Sequence, residues 1–387
     1  MLNDQFIVFG APDLGDDEIR AVVATLQSGW LGTGPRVAEF EARFAAYKGL
    51  SARQTAALNS CTAALHLSLL AAGVGQGDEV ITSPLTFCAT ANAILHAGAT
   101  PVLVDVDPDS MNIDPTRIEA RITPRTRALV VVHFAGRPCE MDAIETIARR
   151  HGLSVIEDCA HAVEATYKNR PAGTLGDFGC FSFYATKNLT TGEGGMVLAR
   201  SEQHIERIRT LALHGMSRDA WKRFSEDGYQ HYQVLEPGFK YNMMDLQAAI
   251  GLEQLKRLDA GWQRRQAIWQ RYQQAFADLP VTCPAQPPED VKHALHLYTL
   301  LIDEARCGIS RDTFIARMNA RNIGVGVHYL ALTEHPAYQQ QLGWQPTDTP
   351  IATAIGRQTV SLPLSPGLSD AEVARVIAAV GQSLKKT

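Results

Sequence analysis

The sequence predicts an α/β protein: an N-terminal arm and a large, mostly parallel-sheet domain over residues 1–245, then a linking helix and a smaller C-terminal α/β domain over residues 246–387. Three observations carry this prediction. Short apolar runs alternate with helical stretches, as βαβ crossovers require. One such run ends in an acid, at the edge where parallel α/β sheets collect their ligands. A proline-rich passage, with Pro280, Pro284, Pro287 and Pro288, then turns the chain out of a long helical stretch into a further strand and helix.

In chain order, Leu58-Asn59-Ser60 ends the first strand, and Cys61 to Leu70 has helical character. Free amides and the positive end of a helix dipole therefore fall near Ser60 to Ala63, an anion site in principle, although most helix starts hold no ligand. The strand Glu79 to Ser83 delivers Leu85-Thr86-Phe87 to the same edge before a helix that begins near Ala89. Phe87 is either a ring that stacks on an aromatic cofactor or ordinary core. Strands follow at Pro101 to Val106, Ala128 to Phe134 and Ser154 to Glu157, with a helix over Asp142 to His151. Gly179 to Tyr184 and Gly195 to Leu198 complete the set. From Met244 to about Asp278, Leu246, Ala249, Ile250, Leu252 and Leu255, then Trp262, Ile268 and Tyr272, recur at helical spacing, long enough to bridge two domains. The smaller domain opens with a strand over His296 to Ile302 and a helix over Arg311 to Arg321.

Composition narrows the function class. A formal charge of -5 over 387 residues gives no electrostatic case for a nucleic-acid partner. The 7 cysteines (Cys61, Cys88, Cys139, Cys159, Cys180, Cys283, Cys307) are scattered and odd in number, which predicts reduced thiols. Cys159 and His161 stand close together, but no second pair completes a metal site, and no metal is expected. Met1 to Gln5 lacks a basic region followed by an apolar core, so a cytoplasmic protein without a secretory signal is expected. The longest uncharged stretch, Gln54 to Gly77, is interrupted by polar residues and glycines, and no membrane span is expected. Gly73-Val74-Gly75-Gln76-Gly77 precedes a strand, the wrong order for a dinucleotide fingerprint.

The richest segment is Phe181-Ser182-Phe183-Tyr184-Ala185-Thr186-Lys187-Asn188-Leu189-Thr190-Thr191-Gly192-Glu193-Gly194-Gly195. A lysine that follows an apolar strand and precedes a glycine-rich turn stands where its amine can be desolvated and meet a carbonyl as a Schiff base. Most lysines are solvated surface charges, and those need neither flank. The pattern points to pyridoxal phosphate, whose pyridine nitrogen requires a neighbouring anion to stay protonated and act as an electron sink. Asp158, at the end of the Ser154 to Glu157 strand, is the candidate; the other reading is an acid that caps the next helix.

Together these segments resemble the pyridoxal-phosphate-dependent nucleotide-sugar aminotransferases of the DegT/DnrJ/EryC1/StrS family. The likeness covers almost the whole chain and includes Ser28-Gly29-Trp30-Leu31-Gly32-Thr33-Gly34-Pro35, Glu157-Asp158-Cys159-Ala160-His161-Ala162, the lysine segment, Pro237-Gly238-Phe239-Lys240-Tyr241-Asn242-Met243 and Ser361-Leu362-Pro363-Leu364. Within the family, Val132-His133-Phe134-Ala135-Gly136, Leu213-His214-Gly215, Gly238 to Asn242 and Arg306 to Asp312 are most similar to the enzymes that form UDP-4-amino-4-deoxy-L-arabinose, a sugar of lipid A.

The resemblance implies an aspartate-aminotransferase-like architecture, fold type I. It makes Lys187 the Schiff-base lysine and Asp158 the partner of the pyridine nitrogen. Phe87 becomes the stacking aromatic, His161 a neighbour of the cofactor's O3' side, and Cys61, Thr62, Ala63 and Ser182 the phosphate holders. From the partner subunit of a homodimer it brings a polar side chain of the Gly238 to Asn242 segment to the phosphate, either Lys240 or Asn242. Substrate contacts are expected from Trp30, Thr33, His328, Tyr329 and Arg218, with Arg223 a second candidate arginine; His328 equally suits a structural histidine, and the arginines equally suit the surface. The implied reaction is ping-pong transfer of an amino group, with pyridoxamine phosphate as intermediate, from L-glutamate to a nucleotide-linked keto sugar, a UDP-4-keto pentose or hexose. Alternatives are another nucleotide or a 3-keto acceptor, a sugar dehydratase of the same fold, whose relatives carry histidine in place of the lysine, or a non-catalytic sensor.

Overall fold

The structure, a computed structural model, describes residues 5–217 and 232–385. The chain opens with α1 (Asp16–Ser28) and α2 (Pro35–Tyr47). Next come β1 (Thr55–Leu58), α3 (Cys61–Ala71), β2 (Glu79–Thr82), α4 (Cys88–His96) and β3 (Thr100–Leu103). Then follow β4 (Thr126–Val132), α5 (Met141–His151), β5 (Ser154–Asp158), and the short strands β6 (Thr166–Tyr167) and β7 (Arg170–Pro171). Strands β8 (Phe178–Ser182) and β9 (Gly195–Ala199) and helix α6 (Glu202–Ala212) end this part.

Seven strands form one sheet in the order β1-β9-β8-β5-β4-β2-β3. The β2/β3, β2/β4, β4/β5 and β5/β8 pairs are parallel, and β9 alone runs against the rest. Both faces are covered, as a parallel sheet demands. Helix α3 is buried along almost its whole length between the sheet and α4 and α6, which explains why its sequence is apolar on every side. Glycine at the start of β9 has a steric cause: a Cβ on Gly195 would lie 2.4 Å from the Ser60 carbonyl carbon and 2.6 Å from the Cys61 nitrogen. The bare backbone lets the N-terminus of α3 sit against the strand.

The C-terminal part holds α7 (Asp245–Lys256), α8 (Leu258–Phe276), β10 (Val291–Lys292), β11 (Tyr298–Leu301), the single turn α9 (Glu304–Cys307) and α10 (Arg311–Asn319). It ends with α11 (Pro336–Leu342), α12 (Pro350–Gln358), β12 (Thr359–Leu362) and α13 (Asp370–Ser383). Strands β11 and β12 pair antiparallel, and Tyr272, Phe276, Phe314, Val376 and Val380 from the flanking helices share their core.

Among the expected elements that differ in extent, three are informative. The strand expected over Pro101 to Val106 stops at Leu103, because the Asp105 carboxylate turns aside to accept from the Ile351 and Ala352 N–H groups at the start of α12 (2.9 and 3.0 Å). The strand expected to reach Tyr184 stops at Ser182, where the lysine loop begins. The single helical stretch expected from Met244 to Asp278 is two helices, broken at Arg257, whose guanidinium is held by Asp13 and Glu18 from the N-terminal segment.

Asp245 ties the two halves of the sequence together. Its buried carboxylate accepts from the N–H groups of Gly34 (2.8 Å), Val37 (2.9 Å) and Arg36 (3.1 Å), the otherwise unpaired donors at the start of α2. Replacing Asp245 with Ala removes three charge-assisted hydrogen bonds, and we expect a loss of about 2–3 kcal/mol in denaturant unfolding; a change below about 0.5 kcal/mol contradicts this role.

Candidate active site

The carboxyl ends of β5 and β8, the start of α3, the Lys187 loop and the His328-Tyr329 segment enclose a cavity of about 520 Å³. Lys187 reaches it from a tight loop in which its own N–H donates to Tyr184 O (2.9 Å) and the Thr191 N–H returns to Phe183 O (2.9 Å). Burial pushes the Lys187 amine down to about 8, against the opposing pull of Cys61 and Asp158. Asp158, the last residue of β5, lines the same cavity and is 5% exposed. Its carboxylate accepts from the Thr90 hydroxyl (2.9 Å) and the Ala160 N–H (3.1 Å), and burial raises its pKa in spite of those donors.

His161 and His328 line this cavity, and His296 stands against them in a small adjoining one. The His161 ring lies 4.4 Å from that of His296, its Nε2 is 3.1 Å from the Tyr329 hydroxyl, and its buried Nδ1 has no hydrogen-bond partner among the described residues. His328 bonds Ser361 Oγ through Nδ1 (2.9 Å). Burial and the Lys187 charge hold His161 well below the usual imidazole range, and burial followed by Lys187 takes His328 down to about 4. All three imidazoles are therefore neutral acceptors or donors at physiological pH, since burial also depresses His296.

At the opposite end, Ser60 caps α3: its Oγ accepts from the Ala63 N–H (3.1 Å). Cys61, Thr62 and Ser182 line the cavity, and Phe87 offers a ring that is 58% exposed. Ala63, also expected among the phosphate holders, is buried just inside the wall, and its N–H donates to Ser60 Oγ.

These residues fit pyridoxal phosphate. A helix start suits the phosphate, a buried carboxylate bonded only to neutral donors suits a pyridinium N–H, an exposed ring suits stacking, and the unpartnered His161 Nδ1 suits a polar ring substituent.

The remaining expected residues lie elsewhere. Lys240 bonds Asn242 (2.6 Å), Asn242 bonds the Thr33 hydroxyl (2.6 Å), and the Trp30 indole N–H donates to Thr33 O (3.2 Å). This cluster borders a separate cavity of about 470 Å³, where Trp30, Thr33 and Asn242 are wall residues, and none of the four lines the Lys187 cavity of its own chain. Arg218 and Arg223 lie outside the described residues. Sequence reasoning missed Thr90, Tyr184, Glu193 and His296. Thr90 sits one helical turn beyond Phe87, a spacing that would have placed it on the same wall; His296 carried no signal beyond a strand assignment.

A mostly parallel sheet with a desolvated lysine facing a buried carboxylate at its carboxyl edge defines an enzyme of the fold type I class. Residues 12–381 match the DegT/DnrJ/EryC1/StrS aminotransferase family, and the chain belongs to it: it is a transaminase. It is 51% identical to the spore coat polysaccharide biosynthesis protein SpsC of Bacillus subtilis (strain 168), covering 99% of this chain and 98% of that protein. Among solved structures it is similar to the aminotransferase TlmJ of Streptoalloteichus hindustanus (36% identity, TM-score 0.90, 98% and 99% coverage). It is similar also to Spr1654 of Streptococcus pneumoniae in its PLP form (34% identity, TM-score 0.91, 98% of each chain). Among the described residues no helix is long and apolar enough to cross a membrane.

Because burial lowers the Lys187 pKa, its amine is neutral above about pH 8 while exposed lysines remain charged. In cofactor-free protein, acetylation of Lys187 followed by peptide mass spectrometry is expected to rise through a midpoint near pH 8; a midpoint shared with surface lysines contradicts the burial of this amine.

Proposed function

We propose that the protein uses pyridoxal phosphate to move the amino group of L-glutamate to the keto group of a nucleotide-linked sugar, a UDP-4-keto pentose or hexose. The observation that carries this reading is the pairing of the desolvated Lys187 amine with the buried Asp158 carboxylate across one cavity. When bound, pyridoxal phosphate supplies an electron sink for the charge left on the donor's carbon. Asp158, steadied by Thr90 and Ala160, keeps the ring nitrogen protonated. The amides that open α3 and the Ser182 hydroxyl hold the phosphate; Phe87 covers the ring, and His161 orients its O3' side.

Lys187 anchors the cofactor and, once displaced by the donor, acts as the base that takes the proton from the donor's Cα and returns it to the carbon on the far side of the transferred nitrogen. The second half-reaction runs the same proton transfers in reverse on the sugar ketone. His328 and Tyr329 wall the side from which substrate enters. Lys240, Asn242, Trp30 and Thr33 lie away from their own cavity, which supports their serving the site of a partner subunit in a homodimer. The likeness of several segments to enzymes for UDP-4-amino-4-deoxy-L-arabinose supports a UDP-4-keto pentose. The name of the Bacillus subtilis relative supports an amino sugar destined for a polysaccharide. The dehydratase reading is disfavoured by Lys187, and the sensor reading by the presence of both the base and the ring acid.

A panel of UDP-, dTDP- and GDP-linked keto sugars with glutamate, followed by mass spectrometry, is expected to give an amino sugar from a UDP-4-keto member; turnover of none, by enzyme that shows the visible absorbance of bound cofactor, defeats the acceptor assignment. Lys187→Ala is expected to abolish transfer, and substantial residual turnover removes Lys187 from its role. Asp158→Asn is expected to lower kcat by roughly 10²-fold or more through the weakened electron sink, and a near-normal rate excludes it as the ring partner.

A further inference from the structure

Asn188, the residue after Lys187, joins the lysine loop to a buried polar network. Its Nδ2 donates to two groups that can only accept, Glu164 Oε2 (2.9 Å) and Ala294 O (3.0 Å). The orientation of the amide follows: Oδ1 is the atom that faces His296, and it accepts from His296 Nδ1 (2.9 Å). A neutral His296 therefore carries its proton on Nδ1, and its Nε2 is a bare lone pair. At the far end Glu164 is ion-paired with Arg265, which is itself buried, so a charge pair anchors the network and prevents the amide from reversing. The His296 ring, with Thr186, Lys187 and His328, lines a small cavity of about 30 Å³.

We propose that Glu164, Asn188 and His296 form a positioning device for Lys187, presenting the Nε2 lone pair of His296 to the lysine side of the site and steadying the ammonium that Lys187 becomes whenever it takes a proton from carbon. The inference rests on the proposed role of Lys187 as the base. A buried ammonium has three N–H groups and needs acceptors. The other titratable groups that influence Lys187 or share its cavity are Asp158, Cys61, His161, His328, Tyr184, Glu193 and Tyr329. Asp158 is engaged by Thr90 and Ala160, Cys61 is held as a neutral thiol by burial, His161 bonds Tyr329, and His328 bonds Ser361. His296 is the one whose accepting nitrogen is set by its neighbours. Its depressed pKa keeps that lone pair free of a proton while Lys187 cycles.

The test uses two variants of the full chain. Asn188→Ala frees the imidazole to rotate or change tautomer; His296→Phe keeps a ring against His161 but deletes the lone pair. In both, kcat is expected to fall roughly tenfold with the KM for glutamate within about twofold, and the primary isotope effect with α-deuterated glutamate to grow. In cofactor-free protein, the midpoint for acetylation of Lys187 is expected to move down in pH, because losing an acceptor disfavours the ammonium. An unchanged isotope effect and midpoint overturn the proposal, even where kcat falls, since that pattern is a structural defect alone. Should Asn188→Ala fail to fold, His296→Phe decides by the same readouts. Wild-type protein that takes up no pyridoxal phosphate overturns the proposed function together with this inference; a fully active His296→Phe enzyme overturns only the inference.

Discussion

The site depends on holding a carboxylate out of water with no direct ion pair among the described residues. Asp158 ends the central strand β5, between β4 and β8, so its backbone cannot swing toward solvent. The donors that reach it, Thr90 and Ala160, are neutral. An ionised carboxylate so placed is costly, by several kcal/mol after relaxation, and its raised pKa expresses that cost. In the proposed role, the protonated ring nitrogen of bound pyridoxal phosphate would offset it. The same burial acts on Lys187 with the opposite chemical result, since here desolvation frees the neutral amine that attacks and accepts protons. On the proposed reading, one low-dielectric cavity serves both the ring partner and the base.

The neighbouring residue of β5 shows how finely this depends on position. Glu157 precedes Asp158 and, by the alternation of a strand, points to the other face. It is fully buried, yet it accepts from His133 and from the N–H groups of Gly173, Leu175 and Gly176. Burial alone would raise its pKa, but these donors together hold it below the usual range. His133 accepts from the Cys139 N–H through Nδ1, so its Nε2 carries the proton given to Glu157. Although His133, Glu157 and Cys159 lie close enough to hold an ion, the histidine and carboxylate are already engaged. Adjacent carboxylates on one strand thus do separate work: Glu157 braces the Gly173 to Gly176 turn, and Asp158 faces the cavity.

Much of this was legible in the sequence because it follows chain order. The apolar runs, the acid after β5, the lysine loop and the helix start at Cys61 all report local structure, and each fell within a few residues of the observed element. What local pattern could not supply was the set of contacts made across the fold. The break at Arg257 depends on Asp13 and Glu18, some 240 residues away in the chain. Asn188 and His296 are 108 residues apart, and neither carries a motif that announces the other.

The Trp30 to Asn242 cluster extends this argument to a surface. Asp245 clamps the start of α2, while Thr33 donates to Met243 O and receives from Asn242, so the segment is rigid within a single chain. Beside it, Ile19, Val23, Leu26 and Trp30 are 61%, 45%, 51% and 53% exposed at roughly helical spacing. An apolar stripe of that kind is expensive to leave in water and is uncommon on a monomer. Ordering the polar cluster in advance lowers the entropy lost when a second subunit covers the stripe. Both features support the proposed homodimer, in which Lys240 and Asn242, bonded to each other and absent from the lining of their own cavity, would serve the phosphate of the partner subunit.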